Sequence, residues 1–290
     1  MAIPERELRS PVALQPDQPE TLKRLKKLMA PVEFKVAVTG TKAGVGVSTF
    51  TWNLALALRH MKLEDSDLEL SRTLTIGILD LGGSNFPQRL GGHTHALEER
   101  GPRFRPARGL GDVKVVTLEM LMGDRFTQGM AGLADWNVVR GSLGQVDWEE
   151  LDLLLIEFPP GIEAAEDLSE VLPPIEASLI VTRPGDGERE RIRSPWKFFD
   201  ASSVPPIGLV SNMEGRYRGE SVEDLGQAFG IPIRVAIPYE PGLGTFQTGG
   251  PPYLLAHKES KVSKTFFDLS EDLLDYLIWI HDEHEDEEEF

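Results

Sequence analysis

The sequence of 290 residues contains no cysteine. Disulfide bonds are therefore excluded, and so is any zinc or iron–sulfur site that the chain would build from its own thiolates. Long apolar runs are also missing, because no stretch reaches the roughly 18–20 residues that a membrane span needs. The first residues, Met1–Glu7, lack the basic region and apolar core of a secretory signal. These absences predict a cytoplasmic protein without a membrane partner.

Positive charge is scarce as well. The chain has 30 Lys and Arg against 47 Asp and Glu, which gives a net charge of -17. Clustered Lys and Arg are what binds nucleic acid, so this balance predicts no nucleic-acid partner. The last nine residues, 282–290, hold seven of the carboxylates. We predict that they form a disordered acidic tail, with a docking segment for a basic partner as the alternative.

The rest of the chain divides into two parts. Residues 1–32 are punctuated by prolines, among them Pro4, Pro11, Pro16 and Pro19, and are predicted to form an N-terminal extension. Residues 33–281 have the composition of a globular domain, in which apolar runs alternate with helical patterns. Strands are predicted at 34–38, 73–80, 113–117, 151–157, 178–182, 207–211 and 234–237. Helices are predicted at 50–61, 164–171, 188–199, 222–229 and 263–281, and a long loop at 91–111.

Several of these apolar runs are continuous rather than alternating, as in Leu153–Ile156 and Leu179–Val181. Continuous apolar strands are typical of a parallel sheet that is covered on both faces. The predicted fold is therefore α/β, with a doubly wound, mostly parallel sheet and helices on both faces. In such folds ligands bind at the carboxyl ends of the strands.

A glycine-rich segment, Thr39–Thr49, joins the first predicted strand to the first predicted helix. This strand, loop and helix order is the context of a phosphate-binding loop, in which backbone N–H groups and the helix N-terminus attract an anion. A lysine normally precedes the Ser or Thr of such a loop, but here Val47 precedes Ser48. Valine cannot neutralise a phosphate. The segment therefore has the architecture of a nucleotide site with part of its chemistry missing.

The segment Lys42–Thr49, which reads Lys-Ala-Gly-Val-Gly-Val-Ser-Thr, resembles the deviant Walker A sequence of the Mrp/ApbC and MinD/ParA group of P-loop ATPases. Further segments match that group in the same order, and the resemblance spans residues 34–280. Four of them match named regions of the family: Ile78–Asp80 matches the DxD region, Phe158–Gly161 matches switch II, Gly208–Met213 matches the adenine-side strand, and 230–241 matches the closing strand. The other two are 85–91 and Ile180–Pro184. The resemblance implies a P-loop fold, a dimer and binding of ATP or ADP with Mg²⁺.

The resemblance also implies the site residues. Ser48 matches the Mg²⁺ ligand, Lys42 the signature lysine that reaches a partner subunit's phosphates, and Asp80 and Glu157 the catalytic carboxylate positions. The nucleotide contacts fall on Gly44, Val45, Gly46, Val47, Ser48, Thr49 and Asn212.

The departures from the family pattern predict weak or absent ATP hydrolysis. Val47 removes a lysine, Gly82 removes the second carboxylate of the DxD motif, and Glu157 replaces an aspartate. Each loss of an electrostatic contact of this kind costs on the order of 10²–10³ in rate. Nucleotide binding is a separate question, which the residues leave open. A loop arginine, one of Arg89, Arg100, Arg103, Arg105 and Arg108, is a candidate replacement for the lost lysine.

Several functions are compatible with these residues. One is a nucleotide-responsive dimeric switch or scaffold linked to iron–sulfur protein maturation, and another is a pseudo-ATPase without a nucleotide function. A third is the inactive half of a heterodimer with an intact Mrp-type ATPase. A ParA-like partitioning ATPase fits poorly because the chain ends in acidic residues. Mrp-type relatives carry a Cys-x-x-Cys pair that is missing from 214–220, so cluster binding through thiolates of this chain is excluded.

Overall fold

The computed structural model describes residues 29, 32–65, 70–82, 98–100, 103–122, 136–160, 174–248 and 251–288. Within these residues eight strands form the main sheet, and two antiparallel pairs stand beside it. The strands are β1 Val32–Gly40, β2 Lys62–Asp65, β3 Leu70–Thr73, β4 Ile76–Asp80, β5 Glu98–Arg100, β6 Arg103–Arg105, β7 Ala107–Arg108, β8 Lys114–Thr117, β9 Leu151–Glu157, β10 Ala177–Thr182, β11 Pro206–Glu214 and β12 Ile233–Pro238.

The helices follow the strands along the chain. They are α1 Val47–Leu58, α2 Leu118–Met122, α3 Trp136–Leu143, α4 Glu188–Ala201, α5 Val222–Phe229, α6 Tyr253–Ala256 and α7 Lys261–Glu288, with short 3-10 helices at Leu110–Asp112 and Pro241–Thr248. No helix within the described ranges has the length and apolar content that a membrane crossing requires.

The order of the main sheet is β12-β11-β10-β1-β9-β4-β8-β7. Its strands are parallel except for β7, which pairs antiparallel with β8 at one edge. β1 lies in the middle, with Val38 beside Glu157 of β9 and Gly40 beside Val181 of β10. Because neighbouring parallel strands end at the same edge, the loop after β1 meets the ends of β9 and β10.

Burial explains why the central elements are so apolar. Every residue of β9 and β10 is buried. α1 has ten of its twelve residues buried. It packs against α7, where the Phe50 and Phe266 rings lie 5.8 Å apart. A helix that is apolar all round is typical of a core position, so the phosphate-loop segment stands on a rigid support.

The predicted fold class is confirmed, and the predicted strands and helices that fall on described residues are present with boundaries shifted by a few residues. The helix predicted at 164–171 lies outside the described residues. The loop predicted at 91–111 was wrong for its second half, since β5 pairs with β6 and β7 joins the main sheet. Phe104 and Ala107 are buried there. The surrounding Gly and Arg residues give the segment the composition of a loop, so its strands were not predicted.

α7 continues to Glu288, so the backbone of residues 282–288 is helical where the sequence analysis predicted a disordered tail. Those residues contain no Gly or Pro that would end a helix, and Glu is a good helix former. The division into an extension at 1–32, a domain at 33–281 and a tail at 282–290 stays a prediction.

Candidate functional site

The loop between β1 and α1 keeps the backbone geometry of an anion cradle. Gly44 and Gly46 have φ angles of +78° and +90°, which side-chain-bearing residues rarely adopt. The first helical hydrogen bond of α1 runs from the Phe50 N–H to the Gly46 carbonyl, at 2.9 Å. No side chain caps the helix. Within the described part of the chain, the N–H groups of Val47, Ser48 and Thr49 have no acceptor, so they are available to an anion.

Val47 points into the protein rather than toward a ligand. Its side chain is 9% exposed and belongs to the hydrophobic core. Its Cγ2 atom lies 2.5 Å from the point that a Cβ atom on Gly40 would occupy. Position 40 must therefore be glycine while Val47 packs there. The valine contributes apolar burial at the exact start of the helix where a phosphate loop normally contributes a cation.

Asn212, at the end of β11, holds the loop from the other side. Its Nδ2 donates to the Val45 carbonyl at 2.9 Å, and its Oδ1 accepts from the Met213 N–H at 2.9 Å. A Cβ atom on Gly46 would lie 2.6 Å from that Nδ2 atom. The side chain of Asn212 is thus a structural brace of the loop, and its contact with a nucleotide base stays a prediction.

Two carboxylates lie side by side at the ends of β4 and β9, and one of them contacts Ser48. Asp80 and Glu157 are neighbours in the sheet register and are 0% and 3% exposed. The Ser48 hydroxyl donates to Glu157 Oε1 at 2.6 Å, and the Gly82 N–H donates to Asp80 Oδ1 at 2.9 Å. Carboxylate and hydroxyl oxygens are the ligands that Mg²⁺ prefers. The chemistry of this donor set therefore fits a magnesium ion that is bound together with phosphates.

Gly82 lies against both of these carboxylates. A Cβ atom at this position would stand 3.3 Å from Asp80 Oδ1 and 3.3 Å from Glu157 Oε1. A carboxylate at position 82 would thus be crowded by the longer side chain of Glu157. The glycine at position 82 and the longer side chain at position 157 therefore depend on each other. The first leaves the space that the second occupies.

Lys42 is held within its own chain by Glu188, the first residue of α4. Its Nζ donates to Glu188 Oε1 at 2.6 Å. Arg191 Nη1 donates to the same oxygen at 2.5 Å, and Thr182 Oγ1 donates to Oε2. Burial opposes ionisation of Glu188, yet the hydrogen bonds from Lys42 and Thr182 outweigh it and hold its pKa below the ordinary value.

The structure brings the predicted site residues together at one edge of the sheet. Lys42, the glycine-rich loop, Ser48, Asp80, Glu157 and Asn212 all lie where β1, β4, β9 and β11 end. Sequence reasoning missed Glu188, Thr182 and Arg191. The position of Thr182 at the end of a predicted strand was the available signal. Only the pairing of β10 with β1 shows that this strand end is beside Lys42.

Three of the five candidate loop arginines do not replace the lost lysine. Arg103, Arg105 and Arg108 stand at the opposite edge of the sheet, where they pair with Asp147, Glu149 and Asp112. Arg89 and the side chain of Arg100 lie outside the described residues, so that part of the hypothesis stays a prediction.

Comparisons with known proteins agree with this geometry. The ParA-type family model described as "NUBPL iron-transfer P-loop NTPase" matches residues 31–274. An iron–sulfur cluster carrier protein of Saccharolobus solfataricus is 25% identical over 262 residues, covering 85% of this chain and 84% of that protein. A cytosolic Fe-S cluster assembly factor, the NUBP1 homolog of Caenorhabditis elegans, is 25% identical over 260 residues, covering 83% and 80%.

Solved structures share the fold. A nucleotide-binding protein of Archaeoglobus fulgidus, in complex with ADP, superposes with a TM-score of 0.59 at 21% identity, covering 80% of this chain and 95% of that chain. The MinC:MinD cell division complex of Aquifex aeolicus matches with a TM-score of 0.58 at 18% identity, covering 83% and 96%. At these identities the likeness concerns the architecture of the sheet and its helices.

Proposed function

The chain belongs to the family of NUBPL-type iron-transfer P-loop NTPases, and from this premise we propose that it is a nucleotide-binding accessory protein of iron–sulfur protein maturation with weak or absent ATP hydrolysis. The similarity to carrier and assembly proteins supports the link to iron–sulfur chemistry. The observation that carries the proposal is the combination of a preserved loop backbone with an altered set of side chains around it.

Support for nucleotide binding comes from the loop itself. The N–H groups at the start of α1 are directed to an anion by the helix N-terminus, and Asn212 keeps the loop in this shape. Residues 44–49 would hold the phosphates of ATP or ADP, and Ser48 with Asp80 and Glu157 would hold Mg²⁺. The metal would supply positive charge to the phosphates.

Support for impaired hydrolysis comes from three positions. Val47 is packed into the core and offers no cation. Gly82 carries no carboxylate to position a water molecule. Glu157 accepts a hydrogen bond from Ser48, which in the resembling ATPases is a metal ligand. Phosphoryl transfer depends on positioned charge more than on covalent chemistry, so these changes weaken turnover more than they weaken binding.

The lack of cysteine limits the role that we propose toward the cluster. Because the chain has no thiolate, a cluster would be cargo of a partner protein rather than bound by cysteines of this one. A cytoplasmic homodimer, or a heterodimer with an intact related ATPase, is the assembly that we propose. In the heterodimer, Lys42 would serve the partner's nucleotide while the partner supplies the missing lysine and aspartate.

Isothermal titration calorimetry with ATP and ADP, with and without Mg²⁺, tests the proposal. We expect both nucleotides to bind the wild-type chain. Ser48→Ala should weaken binding mainly when Mg²⁺ is present, because only the metal contact is lost. Thr265→Ala, an exposed hydroxyl on α7, is the control for hydroxyl loss.

Two results would contradict the proposal. Absence of binding at millimolar nucleotide would leave a pseudo-ATPase without a nucleotide function. A Mg²⁺-dependent ATPase rate that Lys42→Ala abolishes would show that hydrolysis is intact.

A further inference from the structure

A cavity of about 480 Å³ lies between Thr41 and one flank of α4. Its wall on the helix side is formed by Glu190, Arg191, Arg193, Ser194 and Lys197, together with the buried ring of Pro195. The spacing of these residues is that of one side of a helix. Thr41 is the only member that comes from the glycine-rich loop, so the cavity is next to the candidate nucleotide site and separate from it.

The cavity is basic in a chain that is strongly acidic. Among the residues that the structure describes, three cations and one carboxylate line it, although the whole chain has a net charge of -17. The carboxylate offsets little, because Glu190 and Arg193 are 3.5 Å apart with side chains 79% and 53% exposed, and exposed pairs of this kind are weak. Lys197 is exposed and forms no ion pair within the described ranges. Arg191 is paired with the buried Glu188, so the unbalanced positive charge of the described lining comes from Lys197 and from the weakly paired Arg193.

We propose that this cavity binds a small phosphate-bearing anion. Its volume lies in the range of small-molecule sites, about 300–1,000 Å³. Guanidinium groups match phosphate oxygens with paired donors, and an ammonium adds a point charge. The hydroxyls of Ser194 and Thr41 provide further donors at opposite walls. The positive charge of the described lining suits a negatively charged ligand.

A chain of hydrogen bonds connects the cavity to the signature lysine. The Thr41 and Thr182 hydroxyls are 3.0 Å apart, and Thr182 donates to Glu188. Arg191, which lines the cavity, shares Glu188 with Lys42. An anion that draws Arg191 toward itself thus removes one of two cations from Glu188 and strengthens the remaining contact with Lys42. Occupancy of the cavity would in this way oppose release of Lys42.

The test is a titration with inorganic pyrophosphate, followed by two-dimensional amide NMR of the full chain and by calorimetry. In the wild type we expect saturable shifts of the amide signals of Arg193, Ser194 and Lys197. The double substitution Arg193→Glu with Lys197→Glu should lower the affinity of this site by at least about tenfold, because it reverses two of the three cations. Lys258→Glu with Lys264→Glu changes the net charge equally at exposed positions outside the cavity and should leave the affinity within about twofold.

Each other result overturns the proposal. Shifts confined to the amides of Gly44–Thr49 would place the anion in the loop alone. An equal loss of affinity in the two double variants would show that the effect comes from the overall charge of the chain and not from the cavity. Succinate binding as tightly as pyrophosphate would remove the preference for phosphate, and no shift of α4 amides at millimolar pyrophosphate would mean that the cavity takes no such anion. These readouts concern α4, so a failed nucleotide titration at the loop would not affect them.

Discussion

Glu188 governs the charge balance around Lys42. Its side chain is 1% exposed, and both of its oxygens accept hydrogen bonds. A buried carboxylate is stabilised only when cations and donors surround it, and here Lys42, Arg191 and Thr182 do so. In the resembling ATPases the lysine equivalent to Lys42 reaches a partner subunit. In this chain it would first have to leave Glu188.

Glu188→Gln tests this balance through stability. We expect a loss of about 1–3 kcal/mol in the free energy of unfolding at neutral pH, because the amide keeps the shape and loses the charge-assisted hydrogen bonds. The pKa of Glu188 is lowered in the folded state. Its contribution is therefore complete above the ordinary glutamate pKa and disappears as the pH falls through the lowered value.

Urea titrations of the wild type and of Glu188→Gln over a range of pH measure the difference in the free energy of unfolding. It should shrink toward zero in acid. Glu190→Gln, two residues along α4 with a side chain 79% exposed, is the matched control and should change stability by less than about 0.5 kcal/mol. A difference that persists unchanged at low pH would contradict the electrostatic explanation.

Gly82 and Glu157 form the second pair of residues whose identities depend on each other. Gly82→Asp alone should destabilise the chain by about 1–3 kcal/mol, because the new side chain is crowded by two carboxylates. Shortening the neighbour by Glu157→Asp should recover part of this loss, with a coupling of about 0.5–3 kcal/mol in a double-mutant cycle.

Thermal or urea unfolding of the wild type, the two single variants and the double variant gives the coupling energy. Gly82→Ala adds the Cβ atom without the charge, so it separates crowding from repulsion. Strictly additive effects of the two substitutions would show that positions 82 and 157 do not constrain each other.

At the scale of elements, the loop between β1 and α1 is the feature on which both stability and nucleotide binding are expected to depend. Gly46→Ala should destabilise the chain by about 1–3 kcal/mol and weaken nucleotide binding, because it combines a φ of +90° with a Cβ atom 2.6 Å from Asn212 Nδ2. Gly44→Ala is the matched control. It has a φ of +78° but nothing within 4 Å of its Cβ position, so it should cost only about 1–2 kcal/mol of backbone strain.

Unfolding titrations and calorimetry with ADP on the two variants distinguish steric displacement of Asn212 from strain alone. Equal effects of the two substitutions on binding would show that Asn212 does not brace the loop.

The elements themselves were predictable in large part, because strands such as β9 and β10 are continuous apolar runs and α5 has turn residues on both sides.

At the scale of the whole molecule, assembly is the property to measure. The family resemblance implies that ATP brings two subunits together and that Lys42 contributes to the contact. We expect ATP to shift the chain toward a dimer in sedimentation velocity, and Lys42→Ala to prevent the shift. Glu188→Gln should increase the dimer fraction, because it weakens the contact that holds Lys42 within its own chain.

Lys258→Ala, which removes an exposed cation elsewhere, should behave as the wild type. A chain that stays monomeric with every nucleotide would exclude a homodimeric switch. A complete Mrp-type ATPase would then be the partner to add, and a change in its ATPase rate on mixing would support the heterodimer.

The sequence by itself determined the fold class, the location of the loop and the three departures at positions 47, 82 and 157. Such features depend on local order along the chain: apolar runs, glycine spacing and residue identity. Only the tertiary structure decided that Val47 packs over Gly40, that Asn212 braces the loop, and that Glu188 holds Lys42. The last two contacts join residues far apart in sequence, and they form because β10 lies beside β1 and β11 lies beside β10, an order that apolar periodicity does not encode. The first joins residues close in sequence, but the direction of the Val47 side chain depends on the packing of the core.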